Sequence, residues 1–409
     1  MRKKICVYTS SRSDFGLLKP VISELTKYFE VFVLATGAHL AKNRGYTLTE
    51  IIDSGIVDQE HLLTVEAFLD DDSYEAEVKA VSIIQLSVAE IFKLYRFDGI
   101  VVLGDRYELF GITIPAFLYQ LPIFHISGGE ITEGAIDDSI RHAVTKLSHV
   151  HFVANEVFAE NVSRMGEEDW RIQITGESGL DNLHRQDMAT IEEVKKIFGI
   201  DVTPHEYFLV TYHPVTLEKK LSTKQQMQNL IGALDHFSRK YKIIFTIPGV
   251  EKDSDEIWEL AKEFAKKNQN VYLVPSFGNR YYLTVLKNAA VVIGNSSSGL
   301  VEAPSFKIPT VNIGDRQKNR LCAKSVINCG YEQGEIVKAI EKSLSYEFRE
   351  SIKDTVNPYD PYGDGKNSKR IAYAIEKALS LDKNLLLRKK FVNEVDKQKW
   401  NYLLEGFSE

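Results

Sequence analysis

The stretch Val291-Val-Ile-Gly-Asn-Ser-Ser-Ser-Gly-Leu-Val-Glu302 decides how the rest of the chain is read. A short apolar run rich in β-branched residues stops at a glycine, crosses a small polar turn and enters a helix expected to begin near Ser298. Strand, tight turn and helix in that order form the repeating unit of a parallel sheet covered on both faces. The same alternation extends in both directions from it. Toward the C-terminus a strand is expected at Thr310–Ile313, and toward the N-terminus at Val271–Val274, Ile243–Ile247 and Tyr207–Tyr212. An earlier set reads as Ile5–Thr9, Val31–Ala35, Ile100–Leu103, Ile123–Ile126, His151–Val153 and Ile172–Thr175. Between these lie amphipathic stretches of helical period at Leu17–Tyr28, Glu75–Tyr95, Tyr107–Tyr119 and Asp137–Leu147.

The pattern restarts after Gly176-Glu-Ser-Gly179, with a polar stretch and then a helix at Ile191–Phe198. This predicts an α/β chain of two doubly wound, Rossmann-like domains facing a cleft. Residues 1–180 form the first and 181–370 the second, with charged helices over 371–409 packing back on the first. A length of 409 residues fits two domains of ordinary size. Ligands of such sheets bind beyond the carboxyl ends of the strands, so the informative residues should directly follow strands.

Bulk composition narrows the function. A formal net charge of −7 argues against a nucleic-acid partner. Any phosphate site must then be local, built from a few arginines and helix starts. Cys6, Cys322 and Cys329 show no metal spacing and suit a reducing compartment. The basic tip Met1-Arg-Lys-Lys precedes too short an apolar run for a signal peptide, and no stretch is long enough to span a bilayer. The expectation is a cytoplasmic protein with no membrane partner, no metal and no cofactor.

Several post-strand segments carry chemistry. In the opening stretch the small residues allow close approach of a diphosphate, Ser296 and Ser297 offer hydroxyls, and Glu302 on the same helix suits a ribose diol. A plain capping serine is the competing reading. Gly314-Asp-Arg316 adds a cation nearby. After the first strand, Arg12 in a βα-loop offers a fork for phosphate. Gly104-Asp-Arg-Tyr-Glu108 places Asp105 at a buried strand end, as a catalytic acid or a helix cap, with Arg106 as a local partner. The densest segment, His125-Ile-Ser-Gly-Gly-Glu through Asp137-Asp-Ser-Ile-Arg-His142, holds Glu130, Glu133, Asp137 and Asp138 with Arg141. Residues four apart on its helix, Asp137 with Arg141 and Asp138 with His142, share a face, so a carboxylate and a cation can be presented together, with Arg141 expected to contact the substrate or its nucleotide. His213, in Thr211-Tyr-His-Pro214, ends the first strand of the second half.

Taken together and in this order, these motifs resemble the UDP-N-acetylglucosamine 2-epimerase family, and its hydrolysing branch above all. They run from about residue 8 to about residue 320. The resemblance implies a GT-B fold and a nucleotide-sugar substrate. The sugar C2 proton leaves as the nucleoside diphosphate departs from C1, and water then adds to the resulting glycal. It further implies catalytic roles for Asp105, Asp137 and His213, and nucleotide contacts from Arg12, Ser296, Ser297, Glu302 and Arg316. A homodimer or homotetramer is the expected assembly. Some members carry a glutamate where this chain has Ser127, so Glu130 or Asp137 is expected to do that proton work here. The first-choice substrate is UDP-N-acetylglucosamine, on the way to sialic acid. Alternatives are a UDP- or GDP-linked 2,4-diacetamido sugar of legionaminic acid synthesis, a GT-B glycosyltransferase, or a non-catalytic nucleotide-sugar sensor.

Overall fold

The computed structural model describes residues 2–41, 46–67, 73–132, 136–184, 188–215, 221–246 and 254–408. Glu133, one of the four acids above, and Ile247 lie outside them.

Ile5, Cys6 and Val7 are all fully buried, as a strand covered on both faces requires. Their alternation divides them: Ile5 and Val7 join one apolar core, while Cys6 and Tyr8 join another on the opposite face. This strand, β1 (Lys4–Thr9), leads into α1 (Arg12–Leu25), β2 (Glu30–Ala35), α2 (Leu48–Asp53), β3 (Leu62–Thr64), α3 (Tyr74–Tyr95) and β4 (Gly99–Leu103). The chain continues with α4 (Leu109–Leu118), β5 (Ile123–Ile126), α5 (Ile136–Leu147), β6 (Val150–Val153), α6 (Glu156–Arg164) and β7 (Ile172–Ile174). The strands form one parallel sheet in the order β3-β2-β1-β4-β5-β6-β7.

The second sheet begins after α7 (Ile191–Phe198). Its elements are β8 (Tyr207–Thr211), α8 (Thr223–Asp235), β9 (Lys242–Thr246), α9 (Ser254–Lys267), β10 (Val271–Val274) and α10 (Gly278–Asn288). They continue as β11 (Val291–Gly294), α11 (Ser298–Val301), β12 (Thr310–Ile313), β13 (Val326–Cys329), α12 (Gln333–Leu344) and α13 (Tyr346–Ser351). The order is β10-β9-β8-β11-β12-β13, again parallel. Strand order therefore reverses between β1 and β4 in one sheet and between β8 and β11 in the other.

Two compact units result, one of Met1–His184 with Asp364–Glu409 and one of Arg185–Gly363. The tail, with α14 (Asn367–Ser380) and α15 (Lys383–Leu387), is held to the first unit by buried polar groups. Arg171, fully buried, donates to the carbonyls of Leu385 (2.9 Å) and Leu386 (2.7 Å). Lys389 pairs with the fully buried Glu167 at 2.7 Å, and the Trp400 indole donates to Asp169 at 2.8 Å. Among the described residues no helix is long and apolar enough to cross a membrane.

Three local expectations change. Strands β3 and β13 were not anticipated; both are sheet edges and most of their residues are partly exposed, so neither carries the apolar run of a central strand. Helix α1 starts at Arg12, not Leu17, because the Ser11 hydroxyl caps the Asp14 N–H and opens the helix there. Glu302 is not on the helix that starts at Ser298: α11 ends at Val301, and Glu302 opens the short 3₁₀ turn Ala303–Phe306.

Candidate active site

In the first unit the reversal point lies between the loops that follow β1 and β4. Arg12 is in the first turn of α1, not in a loop, and its Nε lies 3.6 Å from Glu50 Oε1, both side chains half-exposed. Ser10 accepts from Arg106 Nε at 3.1 Å and donates to Asp14 at 3.0 Å, which ties the two loops together. Arg106 does not pair with Asp105. Its side chain turns instead to Glu108, at 2.7 and 3.2 Å. Glu108 is 2% exposed; burial raises its pKa, against the opposing pull of Arg106. Gly37, at φ 54°, packs here so closely that a Cβ would stand 2.9 Å from Ser10 O, which reserves the position for glycine.

Asp105 is not a helix cap either, since Glu108 occupies the capping position of α4. It pairs with Arg141 Nη2. Arg141 is 5% exposed and also donates to Glu130 O at 2.9 Å and Thr132 Oγ1 at 3.1 Å. Those donors go to protein acceptors, so Arg141 locks the loop after β4 to the turn after β5. In β5, His125, fully buried, bridges Gly104 O (2.9 Å) after β4 and Thr145 Oγ1 (3.2 Å) on α5. Glu130 is buried at the end of the Ser127-Gly-Gly-Glu130 turn. Asp138 accepts from the Thr132 N–H at 2.6 Å and faces His142 at 3.4 Å. Asp137 is exposed as a residue in the first turn of α5. Its carboxyl is nevertheless shielded enough for desolvation to raise its pKa, against the opposing charge of Arg106.

Sequence reasoning missed Glu177. It follows β7, is 7% exposed, and accepts from the Ser127 hydroxyl at 2.9 and 3.1 Å. Its signal was positional: it comes just after a strand, like the other candidates, inside a segment read only as a domain boundary.

In the second unit the reversal point lies between the loops after β8 and β11. Asn295, fully buried, joins them: its Oδ1 accepts from His213 N at 2.6 Å and its Nδ2 donates to His213 O at 2.8 Å. Asn295 O in turn accepts from Gln317 (2.9 Å) and Arg316 (3.3 Å), so three post-strand loops meet at one residue. Gly294, at φ 134°, passes so near β8 that a Cβ would stand 1.9 Å from Thr211 O.

Ser296 and Ser297 form the turn into α11. Ser297 is exposed and its hydroxyl makes no capping bond; the Ser296 hydroxyl instead accepts from the Ser298 N–H at 3.4 Å, so what there is of the capping role falls to Ser296. The N–H groups of Gly299 and Leu300 are satisfied by Ser296 O (3.3 Å) and Ser297 O (2.9 Å). This four-residue helix therefore offers less of a helix start than the sequence suggests. Glu302 is partly buried as a residue; desolvation raises the pKa of its carboxyl, and the Ser298 hydroxyl partly offsets this. Beside Gln317, a cavity of about 580 Å³ is lined by Asn312, Lys318, Arg320 and Tyr331 among others.

A family model described as UDP-N-acetylglucosamine 2-epimerase matches residues 23–376. The GDP/UDP-N,N'-diacetylbacillosamine 2-epimerase (hydrolyzing) of Campylobacter jejuni is 33% identical over 355 residues, 86% of this chain and 90% of that protein. The UDP-N-acetylglucosamine 2-epimerase of Neisseria meningitidis serogroup B is 32% identical over 350 residues, 84% of this chain and 88% of that one. The crystal structure of a Neisseria meningitidis UDP-GlcNAc 2-epimerase bound to UDP-GlcNAc aligns with a TM-score of 0.71 at 18% identity, covering 91% of this chain and all of that one. The fold is accordingly the GT-B type, two Rossmann-like domains with parallel sheets.

Proposed function

Because the chain belongs to the UDP-N-acetylglucosamine 2-epimerase family, we propose that it is a hydrolysing 2-epimerase that converts UDP-N-acetylglucosamine to N-acetylmannosamine and UDP. The observation that carries this reading is convergence. In each sheet, the candidate residues follow the strands that flank the point where strand order reverses or the next strand along, β5 or β12, and open α/β sheets bind ligands at that point.

Arg12, Ser296, Ser297, Glu302 and Arg316 would hold the nucleotide and its diphosphate, and His213 would stand near the leaving oxygen. A C2 proton is weakly acidic, so its removal needs a positioned base together with departure of a good leaving group. Inversion at C2 also needs a proton to leave one face of the sugar and another to arrive on the opposite face, so at least two groups must work. Asp105, Glu130 and Asp137 supply carboxylates for this. Asp137, whose raised pKa brings its protonated form closer to working pH, is suited to returning a proton. Arg141 is assigned to positioning, since it holds Asp105 and the Glu130 backbone.

A second substrate is favoured by a specific observation: the 33% identical Campylobacter relative is named for a diacetylbacillosamine nucleotide. Proton NMR in deuterated water separates the two. Free UDP with N-acetylmannosamine deuterated at C2 supports the first choice. Turnover only of a UDP- or GDP-linked 2,4-diacetamido sugar moves the assignment to that substrate. Silence with all of them, or transfer to an acceptor, refutes hydrolytic epimerisation.

A further inference from the structure

The inference here rests on the reaction just proposed and concerns which group takes the first proton. Ser127 follows β5 in the left-handed region, at φ 63°, with its N–H bonded to Phe152 O at 2.9 Å. Its hydroxyl reaches both carboxylate oxygens of Glu177, two strands away beyond β7. Glu177 is 7% exposed, whereas Ser127 is only partly buried, so the hydroxyl is the more accessible member of the pair.

The main chain of Glu177 is fixed from two sides. Its carbonyl accepts from Leu180 N at 3.0 Å and from Asn367 Nδ2 at 3.1 Å, Asn367 being fully buried in the first turn of α14. Ser127 is held just as firmly, because the turn it opens is bonded by Asn161 to Gly129 O (2.8 Å) and by Arg141 to Glu130 O. A carboxylate so nearly removed from water is costly unless it is bonded or used. Here it accepts from the Ser127 hydroxyl, in the turn that carries Glu130. Where family members with glutamate at position 127 hold a carboxylate on the β5 loop, this chain has a hydroxyl on that loop and a carboxylate behind it from the β7 loop.

We infer that Glu177 is the acceptor of the proton removed from C2, reached through the Ser127 hydroxyl. As the C2–H bond breaks, its proton passes to Ser127 Oγ while the hydroxyl's own proton passes to Glu177. The C–H electron pair becomes the C1–C2 double bond, and the C1–O pair departs with the diphosphate. The products are the glycal, a protonated Glu177 and the nucleoside diphosphate, with no further reactant required.

The test uses the full chain in the deuterium assay above, with E177Q, S127A and the exchanged variant S127E/E177S. E177Q and S127A should each lower kcat by about 100-fold or more, the scale of a lost general base. KM and UDP affinity should stay within about threefold of wild type, as expected for a group that acts only in the chemical step. The exchanged variant should run at least about tenfold faster than E177Q, because it returns a carboxylate to the β5 loop. A kcat for E177Q within about threefold of wild type, or an exchanged variant no faster than E177Q, overturns the assignment. If E177Q fails to fold, S127A decides: near-normal kcat there overturns it equally. A wild-type chain that releases no sugar removes the underlying reaction and this assignment with it, an outcome visible before any variant is made.

Discussion

Replacing Asn295 with alanine should loosen the second unit where its post-strand loops meet. The side chain makes two bonds to the backbone of His213, at 2.6 and 2.8 Å, and is fully buried. Two such bonds contribute about 1–3 kcal/mol net, at roughly 0.5–1.5 kcal/mol each. The N–H and carbonyl of the partly buried His213 would also lose these two bonds, and each group that water does not reach adds up to about 1–3 kcal/mol. These two counts overlap, so the expected loss is about 2–4 kcal/mol, a sizeable part of an ordinary domain's stability of about 5–15 kcal/mol. Because Gln317 and Arg316 bond the Asn295 main chain, their contacts survive the substitution and the loss should be confined to the His213 side. Urea unfolding followed by circular dichroism, with UDP affinity by calorimetry, measures both consequences. A stability change under about 0.5 kcal/mol together with unchanged UDP affinity would refute the reasoning that this residue joins the loops.

Further outcomes follow from neighbouring geometry. Gly294→Ala places a Cβ against Thr211 O at a backbone angle that side chains rarely adopt, so little folded protein should be recovered, checked by solubility and far-ultraviolet dichroism. Asp105→Asn takes one carboxylate from the buried Arg141 guanidinium while Asp138 stays 3.9 Å from its Nη1, and should cost about 1–3 kcal/mol, less than a fully broken buried pair. The double variant D105N/R141M should regain stability but not turnover, read from Tm and the NMR assay. Burial holds His39 down to about 4 and His125 down to about 3, below the ordinary value of about 6.5. The unfolded chain therefore takes up these protons first. Stability present above about pH 6.5 is lost progressively as pH falls toward those lower values, and equal urea midpoints at about pH 7.5 and pH 5 would contradict this.

Much of the architecture was legible because central parallel strands are apolar on both faces and stand out as short runs: Ile5–Val7, Ile100–Leu103 and Val291–Ile293 need no tertiary information to be seen. The edge strands Leu62–Thr64 and Val326–Cys329 were not legible, because an edge half in water needs no such run and is defined only by the neighbour it pairs with. In the same way the residue types of the candidate site, and their places just after strands, could be read directly. Their partners could not. Asp105 with its neighbour Arg106 is the natural pair along the chain, yet the fold gives Asp105 to Arg141 and Arg106 to Glu108. Ser127 reads alone as a missing base, and only the sheet order brings Glu177, fifty residues on, to its hydroxyl. By itself the sequence determined most of the strands and helices, the central strands above all, since apolar period and turn chemistry act over a few residues. Which charged groups share a site was decided by the tertiary structure alone, because strand order sets those distances and no local pattern encodes it.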